Sequence, residues 1–199
     1  MDQQLETLAK LFLKFPGIGE RQARRFAYFI LTQPDSYVQN LSKTLVTARS
    51  HATTCTKCLR IFEGSNQLCE ICGGANRDHD TLMVVEKSQD IDSMKRTDYH
   101  GLFFVLGGLI PIVQKNVLDN VNTQKLLNRV TAEKGLLTEI ILAFPLTPNG
   151  DHTDLAIREL LEKSSPDVRV SSLGRGLSTG SELEYADTES LNASIKKRE

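Results

Sequence analysis

Leu5, Leu8, Leu11 and Phe12 recur at helical spacing, and Pro16 with Gly17 ends the pattern, which predicts a first helix over Asp2 to Leu13. A second helix is expected from about Glu20 to Leu31. Ala23, Phe26, Ala27 and Ile30 fall on its inner side, with Arg21, Arg24 and Arg25 largely outward. Pro34 and Asp35 break it, and Ser36 to Ser50 reads as a third helix carrying Val38, Leu41, Leu45 and Val46 on one face. From Thr81 the period changes. TLMVVE is a short apolar run rich in strand formers, SQDIDSMKRT behind it suits a helix, and LFFVLGG, TEIILAF and DVRVSS give further strands. Helical stretches at Thr123 to Glu133 and His152 to Lys163 separate them, so the region predicts βαβ units and a mostly parallel sheet.

The 199 residues suit one large domain or two to three small ones. The longest apolar run, Gly101 to Val113, is too short to span a membrane, and the N-terminus has no basic flank before a signal-type core, so the cytoplasm is expected. A net charge of −1 argues against indiscriminate coating of nucleic acid. The distribution changes that picture: Lys10, Lys14, Arg21, Arg24 and Arg25 face only Glu20 between Lys10 and Ile30, and Ser36 to Phe62 holds no acid. Acids gather late, at Glu182, Glu184, Asp187 and Glu189.

All four cysteines lie in CTKCLRIFEGSNQLCEIC, as Cys55, Cys58, Cys69 and Cys72. Two Cys-x-x-Cys knuckles in a chain without a secretion signal point to one structural Zn(II) per chain, because four thiolates close the tetrahedral shell and leave no open position. Free or redox-active thiols are the alternative. Gly73 and Gly74 follow as a flexible exit.

In FPGIGERQARRFAYFIL, Pro16 fixes φ, while Gly17 and Gly19 admit backbone conformations closed to other residues. Such a turn, with the open amides of the next helix, makes an anion pocket suited to phosphate. Arg21 and Arg25 share a helical face and Arg24 widens the patch, a set that would bind a nucleic-acid backbone without reading bases. A plain turn between packed helices with a solvated face is the alternative. PGIG before a basic helix resembles the helix-hairpin-helix motif of DNA-repair proteins.

The hairpin, the four-cysteine module and the αβ region beginning TLMVVE, in that order, resemble the RecR family of bacterial recombination mediators. YHGLFFVLGGLIP at Tyr99 to Pro111, EIILAF at Glu139 to Phe144, and GRGLSTGSELEYAD at Gly174 to Asp187 with Leu191 and Arg198 extend the likeness over the chain. The resemblance implies an α/β, multi-module protein: helix-hairpin-helix at 1–53, four-cysteine zinc finger at 54–79, Toprim domain at 80–172 and a subunit-contact segment at 173–199. It also implies a ring-like dimer or tetramer around single- or double-stranded DNA, without sequence preference and associated with the nucleoid. RecO and, as in some systems, RecF would be its partners, and its task would be to help load RecA on gapped DNA or DNA coated with single-strand-binding protein. Gly17, Gly19, Arg21, Arg24 and Arg25 carry over as DNA-binding positions and Glu86 as the Toprim glutamate. After EIILAF the chain departs from the family's Asn-Pro-Thr, Glu-Gly-Glu, Thr-Ala pattern. Asn149 replaces the first acid, Asp151 the second, and Asp154 is extra. An acidic patch of Glu86, Asp151 and Asp154 is expected to serve a partner or weak Mg(II).

A Mg-dependent Toprim nuclease or topoisomerase is the enzymatic alternative. Asp90 and Asp92 have the Asp-x-Asp spacing but follow the first strand, and His100 has no nucleophile beside it and reads as a packing or interface residue. No catalytic residue is assigned. A zinc-stabilised adaptor that never touches DNA is the third reading.

Overall fold

The computed structural model describes residues 2–113, 117–119, 122–174, 176–177, 180, 182–186 and 188–196. The chain divides into two compact units, Met1–Ala52 and Thr53–Glu199.

The first unit is helical, with α1 (Asp2–Phe12), α2 (Glu20–Leu31) and α3 (Asp35–His51). Ala9, Ala23 and Ala27 are buried, and their small side chains let α1 and α2 approach closely. Phe12 meets Phe15 and Phe26 edge-on, with centroids 5.6 and 5.7 Å apart, which fixes the hairpin between the two helices. α3 forms over the expected residues but buries none of them. Its apolar stripe is half-buried at Val38 and Leu41, while Leu45 is 62% and Val46 69% exposed.

In the second unit β1 (Ala52–Thr54) and β2 (Ile61–Glu63) form a small sheet in the cysteine module. Four longer strands follow: β3 (Asp78–Val85), β4 (Gly101–Val105), β5 (Glu139–Ala143) and β6 (Arg169–Ser172). They form one sheet in the order β4-β3-β5-β6, and every pairing is parallel. Leu82 to Val85 and Leu102 to Val105 are buried throughout, which is the sign of a sheet covered on both faces. The covering helices are α4 (Ser88–Met94), α5 (Thr123–Ala132) and α6 (Pro148–Ser164), which bury Ile91, then Leu126 and Val130, then Ile157 and Leu161. Thr147 caps α6 by accepting from the Gly150 amide at 3.1 Å. A Cβ at Gly150 would collide with the Pro145 carbonyl, so the turn into α6 admits only glycine there.

α7 (Thr188–Lys196) holds Leu191. Arg175, Ser178, Thr179, Ser181 and Asp187 of the GRGLSTGSELEYAD motif, and Arg198, lie outside the described residues.

Candidate nucleic-acid interface and metal centre

The two hairpin glycines have different backbones. Gly17 sits at φ 76°, the left-handed region where a side chain clashes with the backbone. Gly19, the N-cap of α2, has φ −89° and ψ 170°, which any residue adopts, so the expectation that it needs special conformational freedom is corrected. A Cβ there would meet nothing within 4 Å. No side chain caps the helix at Gly19, so of the first-turn amides Gln22 N turns to Gly19 O at 3.1 Å and the helix end keeps its partial positive charge. Arg21 and Arg25 stand exposed on the same helix. Arg24 is already committed: its Nη2 lies 2.7 Å from Glu6 Oε1 on α1. It fastens the helix pair, and much of its charge is balanced there.

The four cysteines are buried, and their sulfurs all lie within 4.8 Å of one another. A tetrahedron of about 2.3 Å metal–sulfur bonds has S···S edges near 3.8 Å. Cys58 Sγ and Cys69 Sγ are 3.6 Å apart, so the quartet can hold a metal ion. Hydrogen bonds from Cys58 and Cys72 pull the Cys69 thiol far down. The Cys69 contact pushes Cys58 up to about 12, and contacts with Cys58 first and Cys69 second push Cys72 far above the ordinary thiol range. Crowded thiolates of this kind need a cation before all four can ionise. The knuckle turns are tight. Leu59 adopts φ 62°, with its amide donating to Cys55 O at 3.0 Å, and a Cβ at Gly74 would come within 2.7 Å of Glu70 O. Gly74 therefore makes a close approach and is not merely a flexible exit. Burial raises the Glu70 carboxyl, but hydrogen bonds from Lys95 and Arg60 outweigh it and hold the group down at about 2.

Glu86 follows β3, and Asp151 and Asp154 stand in the first turns of α6 after β5, so all three belong to the carboxyl end of the parallel sheet. They do not converge. Glu86 pairs with Lys87 Nζ at 2.9 Å, and Asp154 accepts from Ser172 Oγ at 2.5 Å and Arg158 Nη2 at 3.3 Å. Among the described residues the cysteines are the one group of three or more His, Cys, Asp or Glu side chains placed to hold an ion. Beside Asp151 and Asp154 lies a cleft of about 180 Å³ walled by Phe144, Leu146 and Leu173. Asp90 accepts from the Lys87 amide at 2.7 Å and Asp92 lies 3.7 Å from Arg60, so this Asp-x-Asp pair is structural. His100 is exposed, which rules out core packing for its side chain.

A family model described as RecR, helix-hairpin-helix matches residues 5–49, and one described as Toprim domain matches residues 80–174. The chain is 34% identical to Recombination protein RecR of Latilactobacillus sakei subsp. sakei (strain 23K), over 99% of this chain and 98% of the relative. It is 35% identical to that of Streptococcus mutans serotype c, over 96% and 94%. The RecR of Prochlorococcus marinus (strain AS9601) is 37% identical over 98% and 94%. The chain belongs to the RecR family.

It thus joins a RecR-type helix-hairpin-helix to a Toprim domain, with the cysteine quartet between them. Sequence reasoning missed one residue beside that quartet. Arg129 of α5 is 7% exposed, and its Nη1 donates to Lys57 O at 3.2 Å and to Phe103 O at 2.7 Å. Its signal was available, as a cation on the apolar face between Leu126 and Val130. What the letters do not show is the knuckle carbonyl waiting for it.

Proposed function

We propose that this RecR-family chain acts in recombination repair as a DNA-binding mediator without catalytic activity. The observation that carries the reading is Gly19. Nothing within the fold requires glycine there, since its dihedrals are ordinary and the space above it is empty. A residue without a side chain leaves the N-terminal end of α2 accessible to an external group, and a phosphate is the group that helix N-termini accept. Arg21 and Arg25 stand where neighbouring phosphates would lie. Contacts of this kind are independent of base sequence.

The metal reading is one structural Zn(II) per chain held by Cys55, Cys58, Cys69 and Cys72. Bound there, the ion would supply folding energy and no open coordination site for chemistry. The separate partners of Glu86, which pairs with Lys87, and of Asp154, which pairs with Arg158 and Ser172, support the non-enzymatic reading over a Toprim nuclease. The cleft beside Asp151 and Asp154 is the surface we assign to a basic partner of the RecO or RecF type. With such partners, the protein would help RecA displace single-strand-binding protein, in the cytoplasm at the nucleoid.

Leu11, Phe15, Phe29, Tyr37, Leu45 and Val46 are large apolar side chains left exposed on the helical unit. We read this as a homo-oligomer contact, and a closed ring would turn several weak hairpins into one avid DNA grip. The organisation we propose is hairpin 1–53, zinc finger 54–79, Toprim 80–172 and subunit-contact segment 173–199. Fluorescence anisotropy with unrelated single- and double-stranded oligonucleotides tests the function. Binding that is indifferent to sequence and lost in the Arg21→Ala, Arg25→Ala double variant supports it. Unchanged binding in that variant would favour an adaptor, and Mg-dependent nicking that vanishes in Glu86→Ala would establish an enzyme.

A further inference from the structure

We propose that the cysteine module has a second task, sealing the free edge of the Toprim sheet, and that Arg129 couples the two. The proposal rests on the metal reading above. β4 is a terminal strand of the sheet, and Leu106 N donates to Val85 O at 2.8 Å. Even-numbered residues of β4 therefore face β3, and Gly101, Phe103 and Val105 turn their backbone groups away from the sheet. An open row of this kind is a template for another strand.

Here four groups of that row are taken up from outside the sheet. Cys58 O accepts the Val105 amide at 2.8 Å, Arg129 Nη1 donates to Phe103 O at 2.7 Å, and Arg77 Nη2 donates to Gly101 O at 2.6 Å. Asn122 Nδ2 reaches Val105 O at 3.3 Å. The Cys58 carbonyl belongs to a metal-ligand residue, so its position depends on the knuckle that the ion closes. Lys57, one residue earlier, is held at both ends: its carbonyl by Arg129, and its ammonium by Glu133 at 2.7 Å. Glu133 in turn accepts from Arg129 Nε at 3.3 Å. One rigid, planar guanidinium thus binds a knuckle carbonyl and a strand carbonyl together. Releasing the ion frees the knuckle and uncovers β4, an edge open to strand pairing.

Amide hydrogen exchange on the full-length protein tests this, after zinc content is measured. Less than half an equivalent in the purified protein would refute the metal reading by itself. In the zinc-loaded protein stripped by a chelator, the Val105 amide should exchange at least about tenfold faster, the Leu142 amide of central strand β5 should keep its protection, and light scattering should show new association. Zinc-loaded Arg129→Met should show the same local gain at Val105 and lose zinc to a chromogenic chelator about tenfold faster, the usual effect of removing an outer-shell partner. A Val105 amide that stays protected, after stripping or in Arg129→Met, would overturn the proposal. So would equal loss at Leu142, because the module would then support the whole sheet and not its edge.

Discussion

Gly17 at φ 76° and Gly19 at φ −89° look equivalent in the PGIG string, and the difference between them separates fold from function. Gly17→Ala should cost about 1–2 kcal/mol of stability, because a side chain is forced into the left-handed region. Gly19→Ser should leave stability level or raise it by a few tenths of a kcal/mol, since serine is a favoured N-cap. The same serine places an oxygen on the amides that phosphate would use, so its DNA affinity should fall. Thermal unfolding and anisotropy on both variants check the pair, and a Gly19→Ser protein that binds DNA as well as wild type would remove the amide pocket from the account. Dihedrals of this kind are not written in the letters, which is why the sequence treats both glycines alike. The cysteines were legible because metal chemistry constrains residue type and spacing together. Arg129 was not, because its partners are backbone carbonyls, and one of them lies 72 positions away.

Most helices and strands followed from apolar patterning, since α2, α5 and α6 each bury a helical face and β3 and β4 carry continuous apolar runs. α2 shows where that reasoning stops. Its three arginines share one surface in projection, yet Arg24 is tied to Glu6 and Arg21 and Arg25 are exposed. Arg24→Ala should therefore weaken DNA binding less than Arg21→Ala, and cost at most about 1 kcal/mol of stability, as an exposed pair does. Equal losses of affinity in the two variants would show that Arg24 leaves Glu6 for the DNA. α3 marks the other limit: amphipathicity reveals an apolar stripe without saying which chain covers it. The acids were legible as residues and not as a site, because chain order places Glu86 and Asp154 at one end of the sheet while local partners, Lys87 and Arg158, hold them apart.

The proposed assembly would cover the exposed end of that stripe, Leu45 and Val46. Sedimentation of the wild-type protein should give a mass of at least two chains, and Leu45→Glu with Val46→Glu should lower it while leaving the far-UV spectrum unchanged. A strictly monomeric wild-type protein would count against ring closure and the avidity that depends on it. The near-zero net charge of −1 is consistent with such an assembly, because only the surface that meets DNA has to be basic. The central claim is that the hairpin arginines neutralise phosphates. The slope of log affinity against log salt measures this directly, for wild type and for Arg21→Ala with Arg25→Ala. Each lost phosphate contact should flatten the slope by about 1 per hairpin engaged, so the double variant should lose about 2 per hairpin with no change in sequence preference. An unchanged slope would contradict the account.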